Sequence, residues 1–363
     1  MVQTLGYTMT PELGSDILIY DEGFNLVSVA RRAFSIQFND EVVTRTKGLE
    51  TLTFEISNSE KSYHQLKAER LIDFGGRWFR IKLLEDTYYS RRITKVTCYA
   101  LWNEIAEGPE KTMSFTNTTL PIVLDILAVG SNVEFRVPSN LQGLAIKGLS
   151  GKRNSTLYHY RYILKQYGLE TLFGYEKTDT GVKVIAIPQR YEETRIEWPL
   201  VVAKTLADVK RVEDSRDLCT RYTLLGKDSE GVDITVSTIN GGNEYIENFV
   251  WFDKMGMARR IIPVTKSDDR FKDKESMLEA MRSYLTIYSK PFVSYDVKAI
   301  LYQDSGIPEL LHSQLILDEN YLITEWRKVS SRSINYSSLQ NSSIVFDDPR
   351  QDLVDLLNGS DDY

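Results

Sequence analysis

Paired carboxylates, three histidines and two cysteines are the residues of this sequence with the types to do chemistry. Glu192 with Glu193, Asp228 with Glu230, and Asp268 with Asp269 are close acid pairs. Two carboxylates act on a glycosidic bond when they lie ~5 Å or ~6.5–9.5 Å apart in space. Spacing along the chain does not set that separation, and each pair falls in a polar stretch that reads as a solvated turn. His64, His159 and His312 are far apart in sequence. None stands in an H-x-E or H-E-x-x-H arrangement, which would place zinc ligands on one helix face or a general base beside them. His159, inside YHYRY, reads as a half-exposed histidine on a helix surface. No metal or cofactor site is expected.

Nucleophilic chemistry finds no better footing. Cys98 in VTCYA and Cys219 in DLCTR are flanked by strand-forming residues and read as buried free thiols, because free cysteine packs as a small apolar side chain. No G-x-S-x-G elbow occurs. GLSGKRNS, residues 148–155, leads into a helix as a phosphate loop does, but Arg153 stands where Ser or Thr should hold Mg²⁺. It reads as a basic, solvated turn. The expectation is therefore a protein without a catalytic centre.

The elements around these residues are mostly strands at the two ends of the chain. In ETLTFEIS, Leu52, Phe54 and Ile56 alternate with Thr51, Thr53 and Glu55, the period-2 signature of a strand buried on one side. IDFGGRWFRIKLL turns at Gly75-Gly76 and then sets Trp78, Arg80 and Lys82 against Phe79, Ile81 and Leu83. Helical spacing follows near residue 118. Thr118 or Thr119 caps a helix with Leu120, Val123, Leu124 and Leu127 on one face, and Ser155 caps a second with Leu157, Tyr160, Leu164 and Tyr167. GVKVIAIP adds a buried strand. A third helix carries Leu278, Met281, Leu285 and Tyr288 and ends before Pro291.

Between the second and third helices lies TLLGKDSEGVDITVSTINGGNEYIENF, residues 223–249. CTRYTLLG and VDITVST, separated by KDSEG, read as a hairpin; INGG is a turn; NEYIENFVWF reads as the next strand. Gly226, Gly231, Gly241 and Gly242 are accordingly taken as turn formers. Further strands are expected in FVSYDVKAILYQ, YLITEWRKVS and SSIVF, and a short helix in the acidic last segment.

The fold class expected is α+β, mainly β. Two barrel-like antiparallel β domains, residues 1–105 and 193–345, flank an α/β domain at 106–192; the second carries a helical insertion near 265–290, and 346–363 is a tail. A length of 363 residues suits two or three domains at ~150 residues each. The net charge of −7 excludes a DNA-coating protein, which needs a basic excess to displace counterions, but suits a surface past which DNA moves without sticking. Two cysteines make no disulfide framework, no run approaches the ~20 apolar residues of a membrane span, and the first residues lack a secretion signal.

The stretches GLETLTFEIS, LKAERLIDFGGRWFRIKLLE and TKVTCYALWNEIAEG resemble the opening domain of the phage tail-associated proteins named prophage endopeptidase tail or phage minor structural protein. TRYTLLGKDSEGVDITVSTINGGNEYIENF is similar to the family's later signature, carried here by Gly226, Lys227, Asp228, Asn240, Gly241, Gly242 and Tyr245. The resemblance implies a baseplate-hub fold. Three subunits form a ring whose six barrels mimic the sixfold tail tube, dock on the hexameric distal tail protein and close the siphophage tail tip until DNA is ejected. It also implies contact with the tape measure protein and a tail fibre or receptor-binding protein, DNA only in transit, and no membrane insertion. Such a protein is made in the bacterial cytoplasm and resides at the virion tail tip. Cell-wall lysin activity in the family belongs to an additional C-terminal domain, so none is expected of these residues. The alternatives are a peptidoglycan hydrolase and a carbohydrate- or receptor-binding β module using an aromatic such as Trp251.

Overall fold

Burial selects the strands. In Glu50–Ser57 the side chains of Leu52, Phe54 and Ile56 are fully buried, each stabilising the fold by about 1.5–3 kcal/mol relative to exposure. The computed structural model describes residues 11–12, 14–42, 50–87, 92–106, 108–115, 118–146, 149–167, 169–178, 181–189, 195–201, 206–227, 232–267, 274–299, 308–318 and 323–347. The described residues of 1–210 and 296–347 form one compact unit and those of 211–295 a second.

The first unit opens with β1 (Ile17–Tyr20), β2 (Leu26–Val29), β3 (Phe34–Glu41), β4 (Glu50–Ser57), β5 (Leu71–Phe74), β6 (Arg77–Thr87) and β7 (Ile93–Ala100). β8 (Lys111–Phe115), β9 (Thr118–Thr119), α1 (Leu120–Ala128), β10 (Val133–Phe135), β11 (Ala145–Ile146) and β12 (Leu149–Asn154) follow. Then come α2 (Thr156–Tyr167), β13 (Glu170–Thr178), β14 (Gly181–Gln189) and β15 (Arg195–Val201). β16 (Leu206–Asp214) leads on to the second unit, made of β17 (Arg221–Lys227), β18 (Asp233–Ile234), β19 (Tyr245–Glu247), α3 (Val250–Lys254), β20 (Pro263–Ser267) and α4 (Lys274–Tyr288). β21 (Phe292–Ala299) leads back, and β22 (Ser313–Asp318), β23 (Ile323–Asn335) and β24 (Ser343–Asp347) complete the described chain.

A large sheet orders β24-β23-β3-β4-β7-β6-β5-β1-β2, with β22 also on β23 and β15 parallel to β22. The pairing of β23 with β3 matters most, because it sets residues 331–335 directly against residues 37–41. The expected boundaries near 105 and 192 thus fall inside one compact unit. Beside that sheet, β10-β14-β13 forms a smaller one, and β8 and β9 pair with β12 and β11.

The α1 and α2 faces read from the sequence are the buried ones: Leu120, Val123, Leu124 and Leu127, then Leu157, Tyr160 and Leu164. Ser155 caps α2, its Oγ accepting the Tyr158 backbone N–H at 3.2 Å. His159 is a correction. It is buried rather than half-exposed, and its Nε2 lies 2.6 Å from the Lys111 carbonyl oxygen. Spacing alone placed it one position off the apolar stripe; β8, on its other side, closes it in. Strand β6 holds a second correction. A register shift between Ile81 and Leu83 breaks the alternation and leaves Leu83 exposed, while Trp78 and Phe79, on opposite faces, are both buried, Trp78 against Tyr20 and Phe24.

In the second unit β17 is central, antiparallel to β18 and β19 and parallel to β20. Helix α4 covers one face with Met277, Met281, Tyr284, Leu285 and Tyr288 against Tyr222 and Leu224. Tyr222 stacks on Tyr284 and Tyr284 on Tyr288, each pair with centroids 4.0 Å apart. The strand expected through NEYIENFVWF stops at Glu247, and Val250–Lys254 is a short helix. Asn248 starts that helix by accepting the Val250 N–H on its side-chain oxygen at 3.0 Å.

Candidate functional site

The described signature residues Gly226, Lys227, Asn240, Gly241, Gly242 and Tyr245 lie in strands and one turn. Gly226 is a strand residue of β17 opposite Ile234, not a turn former, and Lys227 is opposite Asp233. Asp228 and Gly231 lie outside the described residues. Asn240 holds the turn shut: its Nδ2 donates to the carbonyls of Asn243 at 3.1 Å and Tyr245 at 2.9 Å. Gly241 and Gly242 take φ of 60° and 90°, and the Gly242 N–H reaches the Ser237 carbonyl at 2.9 Å. That left-handed backbone is what glycine supplies without a Cβ penalty.

Tyr245 has a partner the sequence did not announce. Arg221 and Glu247 are opposed across β17 and β19, with Tyr245 one diagonal step away on the same side. The Arg221 guanidinium sits 4.1 Å from the Tyr245 ring centroid, and its Nε donates to Glu247 Oε1 at 2.8 Å. Cation, ring and carboxylate brace the outer face of the small sheet while Tyr222 packs beneath. Trp251 is half-buried, edge-on to Phe252, with centroids 5.0 Å apart.

The other concentration of charge lies within the first unit. Arg332, Asp40 and Glu50 occupy one row across β23, β3 and β4. Arg332 Nε donates to Asp40 Oδ1 at 2.8 Å and Nη2 to Oδ2 at 2.5 Å, while Nη1 reaches the Pro308 carbonyl at 2.7 Å and Glu309 at 3.2 Å. Arg77 Nε donates to Glu50 Oε1 at 2.8 Å, its Nη2 pairs with Oε2, and its Nη1 reaches the Phe173 carbonyl at 3.0 Å. Trp102 Nε1 gives Glu50 Oε2 another donor at 3.0 Å, and the Trp102 ring stacks on Phe173. These groups line a cavity of about 40 Å³, roomy enough for about three waters.

Burial works against the charges of Arg77 and Arg332, but Glu50 and Asp40 outweigh it and raise both guanidinium pKa values. Tyr175, under Arg77 at 5.4 Å, and Tyr336 are held protonated chiefly by burial. An acid–base pair needs one carboxyl free to give or take a proton. Here Asp40 and Glu50 are each held by a guanidinium, so the row braces strands. Parity along the strands would have found it. Glu50 keeps phase with Leu52, Phe54 and Ile56, Asp40 with Phe38, and Arg332 with Ile334.

Among the described residues no group of three or more His, Cys, Asp or Glu side chains is arranged to hold a metal ion, and no described helix is long and apolar enough to cross a membrane. Both thiols are buried, as read.

Residues 17–100 match the family model of the prophage endopeptidase tail N-terminal domain, and residues 196–357 that of the prophage endopeptidase tail. The chain belongs to this phage tail-associated protein family. Its fold is shared with prophage tail protein gp18 of Listeria monocytogenes EGD-e, at 15% identity and a TM-score of 0.66 over 94% of this chain and 97% of that one. The 43 kDa tail protein of prophage MuSo2 from Shewanella oneidensis aligns at 13% identity and 0.62, over 91% and 97%. A tail protein of Neisseria meningitidis MC58 aligns at 9% and 0.61, over 93% and 97%. No curated protein matches the sequence significantly. The protein is thus a mainly β phage tail protein.

Proposed function

We propose that this chain is a non-catalytic hub subunit of the tail tip. Three copies form a ring, dock on the hexameric distal tail protein and close the tube until DNA leaves. The ring also meets the tape measure protein and a fibre or receptor-binding protein, after assembly in the bacterial cytoplasm. The observation that carries this reading is the pairing of β3 with β23. It sets an early strand and a late strand side by side in one sheet, as a subunit supplying two adjoining segments of a ring wall must. The ionic row pins the same seam from within: Arg332 holds Asp40 across β23 and β3. A closed cyclic ring is the ordinary symmetry for such an assembly.

Mass photometry over a range of concentrations, with electron micrographs of any oligomer, tests the reading. Annular trimers, alone or on addition of the distal tail protein, are expected. A chain that stays monomeric in both conditions overturns it. The word endopeptidase in the family description motivates a second assay, a zymogram on bacterial cell walls, where no clearing is expected.

A further inference from the structure

On the side of the large sheet turned away from the core, the four strands β23, β3, β4 and β7 carry no charge over two rows. Asn335, Gln37, Thr53 and Thr97 are successive cross-strand neighbours on β23, β3, β4 and β7. Ser333, Asn39, Thr51 and Tyr99 make the adjoining row. Opposed residues of antiparallel strands share a side, as do residues two apart along a strand, so the two rows are one patch, in which Thr51 is buried and the other seven are partly or fully exposed. It spans three inter-strand gaps, about 14 Å. The residues between them in sequence, Ile334, Phe38, Leu52 and Cys98, are buried on the opposite side.

Every side chain of the patch is neutral and ends in a hydroxyl or an amide. Gln37 Nε2 donates to Ser333 Oγ at 2.7 Å, and Asn39 Nδ2 to Thr51 Oγ1 at 3.2 Å, so the rows are tied together laterally. Charge returns in the next row, where Glu55, Lys95 and Glu85 are in register, on β6 at Arg80, which is opposite Tyr99 and paired with Glu104, and on the far side at Glu41, opposite Ser331. Neutrality is therefore local to the patch, in a chain that is 26% charged.

We infer that this patch is wall past which double-stranded DNA moves when the tail tip is open, an inference that rests on the hub reading above. Proteins hold DNA by placing Lys and Arg on phosphates and releasing counterions. A patch with no cation releases none and does not grip; one with no carboxylate does not repel. Hydroxyls and amides keep a hydrated layer between wall and phosphate. A stable protein–protein contact would instead centre on buried apolar anchors, and Tyr99 is the patch's one aromatic side chain.

Thr53→Lys combined with Thr97→Lys puts two cations side by side on the patch without touching the core. Virions assembled with this double variant should adsorb as wild type but eject DNA several-fold more slowly, with the deficit shrinking as salt rises. Thr53→Ser with Thr97→Ser should eject at the wild-type rate. An unchanged rate for the lysine variant overturns the inference. So does a lysine variant that fails to assemble while the serine variant assembles, because the patch would then be a protein contact. Imaging the wild-type tail tip separates this from the underlying reading. A ring with the patch on its outside sinks only the inference, whereas a tip without a ring of this chain sinks both.

Discussion

Arg332 and Asp40 are 292 residues apart in sequence and face each other across β23 and β3 in a two-pronged ion pair, both side chains almost wholly buried. Charges taken this far out of water are held only by their partners. The pair also fixes register: slipping β23 by one residue would send Arg332 to the open face and bury Ser333 in its place.

Removing one member should therefore cost far more than removing both. Asp40→Ala leaves the Arg332 guanidinium with Glu309, a partly exposed partner, and is expected to destabilise the first unit by about 3–5 kcal/mol. Asp40→Leu with Arg332→Met should recover most of that loss. Urea unfolding of the three proteins gives the comparison. A single substitution costing under about 1 kcal/mol would mean that the pair is not a brace.

Gly241 tests the framework role of the signature turn. Its φ of 60° is left-handed and a Cβ there would meet nothing within 4 Å, so backbone strain alone decides. Gly241→Val should cost about 1–3 kcal/mol, whereas Gly241→Asn should stay within a few tenths to about 1. Thermal melts read both. Normal stability of the valine variant with selective loss of assembly would instead make this turn an interface.

Strand type and the helix faces were legible because period-2 and 3.6-residue patterns report burial directly. Glu50–Ser57 and Leu120–Ala128 appear where Leu52-Phe54-Ile56 and Leu120-Val123-Leu124-Leu127 placed them. What escaped is set by contacts distant in sequence. The pairing of β3 with β23 is invisible to any window, and so is the burial of His159 by β8. The ionic row was readable in principle, since Glu50 keeps the inward parity of its strand. An alternation read from apolar side chains alone does not show a charged residue at an inward position. Phe249 and Val250 favour strand by type, but the Asn248 side chain accepts the Val250 N–H and the chain turns into a short helix there.

Cys98 and Cys219 should be silent in the folded protein. Burial raises the Cys98 thiol pKa and pushes that of Cys219 up to about 11. Thiolate is the reactive form, so neither should react with a disulfide reagent within minutes at pH 8, and both should react at once in denaturant. Rapid native labelling of Cys219, whose Sγ lies 3.2 Å from the Arg221 carbonyl, would show that β17 opens readily.

His312 gives the first unit a pH dependence above the carboxylate range. Burial lowers its pKa; Glu309 opposes that shift and Arg332 adds to it. The unfolded chain therefore takes up this proton first as pH falls. The contribution to stability is complete above the ordinary imidazole value of 6.5 and is lost as pH drops through the lower folded value. Between pH 7.5 and 5.5 most Asp and Glu side chains stay ionised, so the slope in this window isolates histidine. Urea midpoints should fall across it for the wild type, and His312→Gln, with His64 and His159 unchanged, should show a shallower fall. An identical slope in the variant would assign the dependence elsewhere. A steeper one would mean that Glu309, rather than burial, governs this imidazole.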